Sequence, residues 1–210
     1  LAVDSTVATP VLTRPLEHGA DLVMHSATKF LNGHSDVLAG ALITARDDDF
    51  WQRIRMVRKD LGMVIDPQEA WLLLRGMRTL HIRVRKACEN ALAIAEAMRA
   101  HPKIVEVLYP GLPDHPGHAV ATRQMASFGS ILAVECRSEA AAKALPGALS
   151  LFRSTTSLGG VESLAEWRRK YDDAVSPDLV RLSIGLEDPD DLVGDLLGAL
   201  RRLEEDAAFV

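Results

Sequence analysis

The chain has 210 residues, enough for one large domain or two small ones, and 48% of them are apolar, which allows a substantial core. Its formal net charge of −5 argues against a nucleic-acid-binding surface, which needs a basic excess. No apolar run approaches the length of a membrane-spanning helix, so we expect no membrane partner. The two cysteines, Cys88 and Cys136, lack metal-site spacing, and we expect reduced thiols in a cytoplasmic protein.

The first 78 residues alternate strand and helix signals, as parallel α/β layers do. Acids at 47–49 and a proline at 67 suit the first turns of helices. The predicted elements are strands at 1–4, 22–24 and 37–44, and helices at 10–18, 50–59 and 68–74. Since the chain opens inside an apolar strand without an initiator methionine, we expect it to be the C-terminal portion of a longer protein.

From residue 79 the pattern changes to a smaller α+β domain, predicted to span 79–210. Apolar residues at helical spacing predict a long helix over 79–100. The other predicted elements are strands at 104–108, 130–135, 149–152 and 180–184, and helices at 139–145 and 190–205.

The segment His25-Ser-Ala-Thr-Lys-Phe-Leu-Asn-Gly-His-Ser-Asp36 lies between two predicted strands and carries the most informative residue, Lys29. Functional groups of α/β enzymes collect at strand ends, and lysine forms Schiff bases with carbonyl compounds, including pyridoxal phosphate. The hydroxyls of Ser26 and Thr28 can reach a phosphate beside the lysine backbone. The alternative is a surface lysine in a Ser/Thr loop.

Asp4 ends the first apolar run and is the candidate acidic partner of such a cofactor. A carboxylate against the pyridine nitrogen keeps that nitrogen protonated, so that the ring accepts electrons. The alternative is an aspartate that caps a helix or a turn.

Arg181 lies within an otherwise apolar predicted strand and therefore needs an anionic partner. A substrate α-carboxylate suits it, because guanidinium and carboxylate pair in a bidentate manner. An internal ion pair is the alternative. The loop around Ser157 contains Gly159 and Gly160, which allow a ligand to approach the backbone closely, although an ordinary loop has the same composition.

A metal site built from His25, His34 and Asp36 is a third possibility. These residues lack the ligand spacing typical of zinc sites, so we expect no metal.

The segments around Asp4, Lys29, Ser157 and Arg181, in this order along the chain, resemble those of the Cys/Met-metabolism (trans-sulfuration) family of pyridoxal-phosphate enzymes. The lysine motif together with Ser157-Leu-Gly-Gly160 is highly specific, and the resemblance extends over almost the whole chain. Further matching segments are 3–10, 14–21, 72–80, 88–91, 109–112, 128–129 and 181–188.

The resemblance implies an α/β protein of pyridoxal-phosphate fold type I. Residues 1–78 would be the C-terminal part of the cofactor-binding large domain and 79–210 the small domain. It implies that Lys29 is the catalytic Schiff-base lysine and that cofactor contacts come from Asp4, Thr6, Ser26 and Thr28. Ser157 and Arg181 would bind the substrate carboxylate. Family members are usually homotetramers built as dimers of dimers.

The activity implied is C–S bond chemistry on sulfur amino acids, as a cystathionine lyase or synthase. Methionine γ-lyase or O-acylhomoserine sulfhydrylase activity is an alternative, and so is a non-catalytic fragment or interaction domain that keeps the fold. Residues 166–171 stand where many members have a His-Pro-Ala signature, which weakens assignment to one activity. Members of this family also have a tyrosine that stacks on the cofactor ring, a glycine-containing loop that binds its phosphate, and a tyrosine and an arginine lent by a neighbouring subunit. These features would lie N-terminal to this chain, and none has an equivalent in it.

Overall fold

The computed structural model describes residues 1–207, with side chains described for 1–203. The chain divides into two compact units, Leu1–His81 and a second unit that begins at Ile82. The boundary predicted from the sequence lies three residues earlier, between residues 78 and 79. That 1–78 is part of a cofactor-binding large domain and 79–210 a small domain stays a prediction.

The first unit contains a three-stranded sheet in the order β1-β2-β3. Its elements are β1 (Ala2–Asp4), α1 (Thr9–Leu12), a 3₁₀ turn (Pro15–His18), β2 (Leu22–Ser26), a π-helical turn (Ala27–Leu31), β3 (Gly40–Ile43), α2 (Asp49–Asp60) and α3 (Pro67–Met77). β1 and β2 are parallel, whereas β2 and β3 are antiparallel, so the expected parallel layering holds for the first pair only.

Two helix starts follow the predicted capping chemistry. The Asp48 carboxylate accepts a hydrogen bond from the Trp51 N–H at 3.0 Å, and the Asp66 carboxylate accepts one from the Gln68 N–H at 2.8 Å. Pro67 occupies the first turn of α3. The predicted helix at 10–18 is wrong as a single element, because Pro15 disfavours helical geometry at Arg14, whose φ is −119° and ψ is 85°.

The second unit contains a five-stranded sheet in the order β4-β5-β8-β7-β6. Its elements are α4 (Leu80–Arg99, which begins two residues before the unit), β4 (Ile104–Leu108), α5 (His118–Gln124), β5 (Ile131–Cys136), α6 (Glu139–Ala148), β6 (Arg153–Ser154), β7 (Leu164–Trp167), a 3₁₀ turn (Arg168–Lys170), β8 (Leu179–Ser183) and α7 (Pro189–Ala207). All neighbouring strands are antiparallel except the β6–β7 pair.

The core of the second unit lies between this sheet and its helices. Its fully buried members include Ile94 and Met98 on α4, Leu132 on β5, Leu182 on β8 and Leu196 on α7. The predicted strand at 149–152 is wrong: those residues are irregular and β6 follows them. The sequence analysis missed α5 and β7, because both are too short for a clear period.

Candidate functional site

The carboxyl ends of β1 and β2 meet at one edge of the first sheet. Their parallel register aligns Asp4 with Met24, so Ser26 and the lysine segment leave β2 just beyond Asp4. The Ser5 N–H donates to the Met24 carbonyl at 2.9 Å and continues the pairing past β1. The topology therefore brings Asp4, Thr6 and Ser26 together at this edge.

The Asp4 carboxylate is exposed and is held by Thr6. The Thr6 N–H donates to Asp4 Oδ1 at 2.9 Å. Hydrogen bonds from the Thr6 side chain and backbone hold the pKa of Asp4 below its usual value, and the nearby His25 lowers it further. Asp4 is therefore a carboxylate that stays ionised and can face a cation.

Thr6 also joins Asp4 to the lysine segment. Its Oγ1 accepts a hydrogen bond from the Ser26 N–H at 2.8 Å. A hydroxyl can donate one bond while it accepts another, so the same group serves Asp4 and the end of β2. Thr6 thus fixes the carboxylate relative to the residues that precede Lys29.

His25 lies on β2 directly before Ser26. The sequence analysis considered it only as a metal ligand. It is 5% exposed, and its Nδ1 is buried without a hydrogen-bond partner among the described residues. Burial lowers the pKa of His25, while the charge of Asp4 opposes that effect. The described residues contain no group of three or more His, Cys, Asp or Glu side chains that could hold a metal ion.

Lys29 lies at the centre of the π-helical turn Ala27–Leu31 and is half-buried. Its φ of −82° and ψ of −123° leave helical geometry. Buried Phe30 and Leu31 anchor the turn, and the Gly33 N–H donates to the Lys29 carbonyl at 2.7 Å. The backbone is therefore kinked at Lys29.

The hydroxyl of Thr28 is bonded to the backbone of Ala39. Thr28 Oγ1 accepts from the Ala39 N–H at 2.9 Å and donates to the Ala39 carbonyl at 3.3 Å. This pair of bonds ties the lysine turn to the segment that leads into β3. Contact between the Thr28 hydroxyl and a phosphate would require replacing the longer of the two bonds.

Arg181 on β8 lies directly opposite Glu166 on β7 in the antiparallel register. Arg181 Nη2 is 2.5 Å from Glu166 Oε2 and donates to the Ser157 carbonyl at 2.7 Å. The structure thus forms the internal ion pair that the sequence left open and brings Ser157 to Arg181. The side chain of Arg181 is 18% exposed, and its Nε is buried without a partner among the described residues.

A second arginine shares the same carboxylate. Arg168, which begins the 3₁₀ turn after β7, places Nη1 at 3.3 Å from both oxygens of Glu166. Burial lowers the pKa of Arg181; Glu166 opposes this effect, and the positive charge of Arg168 adds to it. Sequence reasoning missed both Glu166 and Arg168, because only the strand pairing reveals which residues face Arg181.

The loop at 157–163 is fixed by hydrogen bonds to the end of β8 and the residues after it. Ser157 has a φ of +90°, which a non-glycine residue rarely adopts. The Gly159 N–H donates to Ser183 Oγ at 3.0 Å. Glu187 accepts from the Ser163 N–H at 2.7 Å and from the Ser163 hydroxyl at 2.8 Å. These bonds hold the Ser157 carbonyl where Arg181 reaches it.

The predicted site residues therefore form two groups, one in each compact unit. The first contains Asp4, Thr6, Ser26, Thr28 and Lys29. The second contains Ser157 and Arg181, with Glu166 and Arg168 added by the structure.

None of the described helices combines the length and the apolar character that crossing a membrane requires.

Comparison with known proteins identifies relatives over most of the chain. Cystathionine gamma-synthase from Mycobacterium tuberculosis (strain ATCC 25618 / H37Rv) is 45% identical over 207 residues, which cover 94% of this chain and 53% of the relative. The chain therefore spans about half the length of the curated relatives it matches.

Two solved structures are similar in fold as well as in sequence. Cystathionine gamma synthase from Xanthomonas oryzae pv. oryzae, in complex with aminoacrylate and cysteine, is 43% identical with a TM-score of 0.92, over 97% of this chain and 56% of that one. CalE6, a methionine gamma lyase from Micromonospora echinospora, is 41% identical with a TM-score of 0.91, over 95% and 55%. These likenesses confirm the predicted α/β fold class, pyridoxal-phosphate fold type I.

The family model described as "Cys/Met metabolism PLP-dependent enzyme" matches residues 1–201. The cofactor predicted from the lysine motif, pyridoxal 5′-phosphate, is the one this family uses. The chain belongs to the Cys/Met-metabolism family of pyridoxal-phosphate-dependent enzymes.

Proposed function

We propose that this chain is part of an enzyme that carries out C–S bond chemistry on sulfur amino acids, as a cystathionine synthase or lyase. One observation carries the proposal: Asp4, with its lowered pKa, and the Lys29 turn leave the same edge of the first sheet, joined through Thr6. The donor set fits pyridoxal phosphate, because it combines an amine, an ionised carboxylate and small hydroxyls.

Lys29 is proposed to hold the cofactor covalently and, once released by an amino-acid substrate, to move the proton at the substrate Cα. When bound, the cofactor supplies a ring that accepts electrons from the bond that breaks at that carbon. The fixed backbone of the Lys29 turn supports this role, because a base must be held within hydrogen-bond reach of its proton.

Asp4 is proposed to face the pyridine nitrogen and keep it protonated, and Thr6 to keep Asp4 ionised and oriented. The hydrogen bonds of Thr6 to Asp4 and Ser26 support this division of roles. Ser26 and Thr28 are proposed to contact the cofactor phosphate. The Thr28 hydroxyl already serves Ala39, so Ser26 is the better placed of the two to donate.

Arg181 is proposed to bind the substrate α-carboxylate, with Ser157 fixing the guanidinium through its carbonyl. We also propose that 1–78 is the C-terminal part of the cofactor-binding large domain and 79–210 the small domain. The division after His81 supports this assignment. A dimer-of-dimers assembly and a cytoplasmic location stay predictions.

Methionine γ-lyase activity is a second candidate, favoured by the likeness to the Micromonospora echinospora enzyme of that name. A panel of cystathionine, methionine, and O-acylated homoserine supplied together with cysteine separates the candidates. Pyruvate, 2-oxobutyrate or newly formed cystathionine would be scored as the product. Cystathionine formation identifies a synthase, and 2-oxobutyrate from methionine identifies the second candidate.

Borohydride reduction of the protein mixed with pyridoxal phosphate, followed by peptide mapping, tests the site itself. We expect a phosphopyridoxyl group on Lys29, lost in Lys29→Arg and kept in Lys59→Arg, a matched change at the end of α2. Labelling at other lysines only would overturn the role of Lys29. The absence of both label and cofactor absorbance would favour the non-catalytic fragment.

A further inference from the structure

The cluster behind Arg181 contains two guanidinium groups and one buried carboxylate. Glu166 is 3% exposed, and its Oε2 lies 2.5 Å from Arg181 Nη2 and 3.3 Å from Arg168 Nη1. Both arginines are therefore paired with the same oxygen. Among the described residues, no other acidic side chain forms an ion pair with either arginine.

A pair of Arg181 and Glu166 alone would suit an anionic ligand poorly. The two charges would cancel, and a ligand carboxylate placed against Arg181 would add a negative charge with no counter-charge in a mostly buried setting. With Arg168 present, the cluster has one positive charge in excess. One ligand carboxylate then makes the whole group neutral.

We propose that Arg168 is a positioning residue that offsets Glu166, so that Arg181 keeps a positive charge for the α-carboxylate of an amino-acid substrate. Glu166 in turn fixes the Arg181 guanidinium from the neighbouring strand. The inference rests on the proposed function, in which Arg181 binds that carboxylate, and assigns a role to two residues outside the predicted site.

The geometry explains why Arg168 acts through Glu166. Its Nη1 contacts both oxygens of the Glu166 carboxylate. Its side chain is 33% exposed, so the Arg168 charge lies on the solvent-facing side of the cluster. The same Arg181 Nη2 that pairs with Glu166 also donates to the Ser157 carbonyl. Glu166 therefore lies between the arginine that meets the ligand and the arginine that supplies the compensating charge.

The neighbouring Arg169 offers a matched control. Its side chain is 35% exposed, close to that of Arg168, but it pairs with Asp173 and donates to the Val175 carbonyl at 2.9 Å. Arg169→Gln removes the same charge one residue away without touching Glu166. Arg168→Lys keeps the charge while losing the planar fork.

The test measures dissociation constants in the cofactor-loaded protein, by calorimetry, for L-methionine and for its decarboxylated counterpart, 3-(methylthio)propylamine. We expect Arg168→Gln to weaken L-methionine binding by about tenfold, with Arg168→Lys close to the unchanged protein. Arg169→Gln should change it by less than about twofold. The amine without a carboxylate should respond to none of these changes. In turnover, Arg168→Gln should raise KM and leave kcat unchanged.

Arg181→Gln separates failure of the inference from failure of the proposed function. We expect this change to raise the dissociation constant for L-methionine by about 100-fold. If it has no effect, the proposed role of Arg181 is wrong and the inference goes with it. If the unchanged protein does not bind L-methionine, the same comparison is made with L-cystathionine. If Arg181→Gln weakens binding but Arg168→Gln matches Arg169→Gln, only the inference is overturned. Equal losses for methionine and the amine would also overturn it, because they indicate a structural role for Arg168.

Discussion

Gly76 on α3 packs directly against the backbone of Asn32, the residue that follows the Lys29 turn. A β-carbon at position 76 would lie 2.3 Å from the Asn32 carbonyl oxygen, closer than such atoms approach in proteins. The Asn32 N–H in turn donates to the Ala27 carbonyl at 3.0 Å and closes the lysine turn. Helix α3 therefore supports Lys29 through a backbone contact that only glycine permits.

Gly76→Ala should accordingly lower the free energy of unfolding by about 1–3 kcal/mol, because backbone atoms must move to relieve the clash. It should also weaken pyridoxal-phosphate binding, since the Lys29 turn would shift. Thermal unfolding followed by circular dichroism and a cofactor titration measure the two effects. Gly194→Ala on α7 is the control: its β-carbon would meet nothing within 4 Å, and helix propensity should stabilise that variant by about 0.5–1 kcal/mol. Equal behaviour of the two variants would contradict the packing argument.

Thr6→Val should raise the pKa of Asp4 towards its ordinary value, because the hydroxyl bond that lowers it is lost. A carboxylate with a depressed pKa in the folded state stabilises the fold above its unfolded pKa. That contribution is lost as the pH falls through the folded value. In the variant, the contribution should therefore be smaller, and its loss should be complete at a higher pH, because the folded pKa lies closer to the unfolded one. A carbon-13 NMR titration of the Asp4 carboxyl measures the shift directly.

Thr6→Ser keeps the hydroxyl and should leave the pKa of Asp4 depressed. Thr44→Val provides a control in the same unit, since Thr44 bonds to the backbone of Asp21 and Arg46 and does not contact Asp4. An unchanged Asp4 titration in Thr6→Val would contradict the role given to the Thr6 hydroxyl.

Glu187→Gln should loosen the loop at 157–163 that positions Ser157. Glu187 accepts from both the N–H and the hydroxyl of fully buried Ser163, and a glutamine has only one oxygen to accept with. We expect a loss of about 1–3 kcal/mol in the free energy of unfolding, measured by urea titration. We also expect faster proteolytic cleavage within the loop. Glu106→Gln, an exposed position on β4, should change neither quantity.

The two cysteines should be unreactive in the folded protein. Burial raises the pKa of Cys136 to about 11 and also raises the pKa of Cys88, so neither forms much thiolate near pH 8. Because the unfolded thiols ionise more easily, stability should fall as the pH rises above about 8.5. Iodoacetamide labelling followed by mass spectrometry should find no adduct before unfolding and two adducts after it. In Cys136→Ala, the free energy of unfolding should fall less steeply with rising pH. Rapid labelling of the native protein would contradict the burial argument.

Several elements could be predicted because their signals are local. The acids and proline at the starts of α2 and α3 cap those helices through neighbouring N–H groups, so a short window of sequence contains the cause. The strand at 149–152 was predicted wrongly for the opposite reason. A short apolar run does not reveal whether a partner strand is available, and the structure pairs β7 with Arg153 and Ser154 instead.

The sequence by itself determined the chemistry available at each position: the family, the lysine turn between two strands, the acid that ends β1 and the arginine in an apolar strand. Only the tertiary structure decided the partners. Thr6 bridges Asp4 and Ser26 because β1 and β2 pair in parallel, and Glu166 faces Arg181 because β7 and β8 pair antiparallel. Hydrogen bonds and ion pairs depend on distances of a few ångströms between residues far apart along the chain. Strand pairing and register set those distances, and a short stretch of sequence does not reveal which distant strand it will pair with.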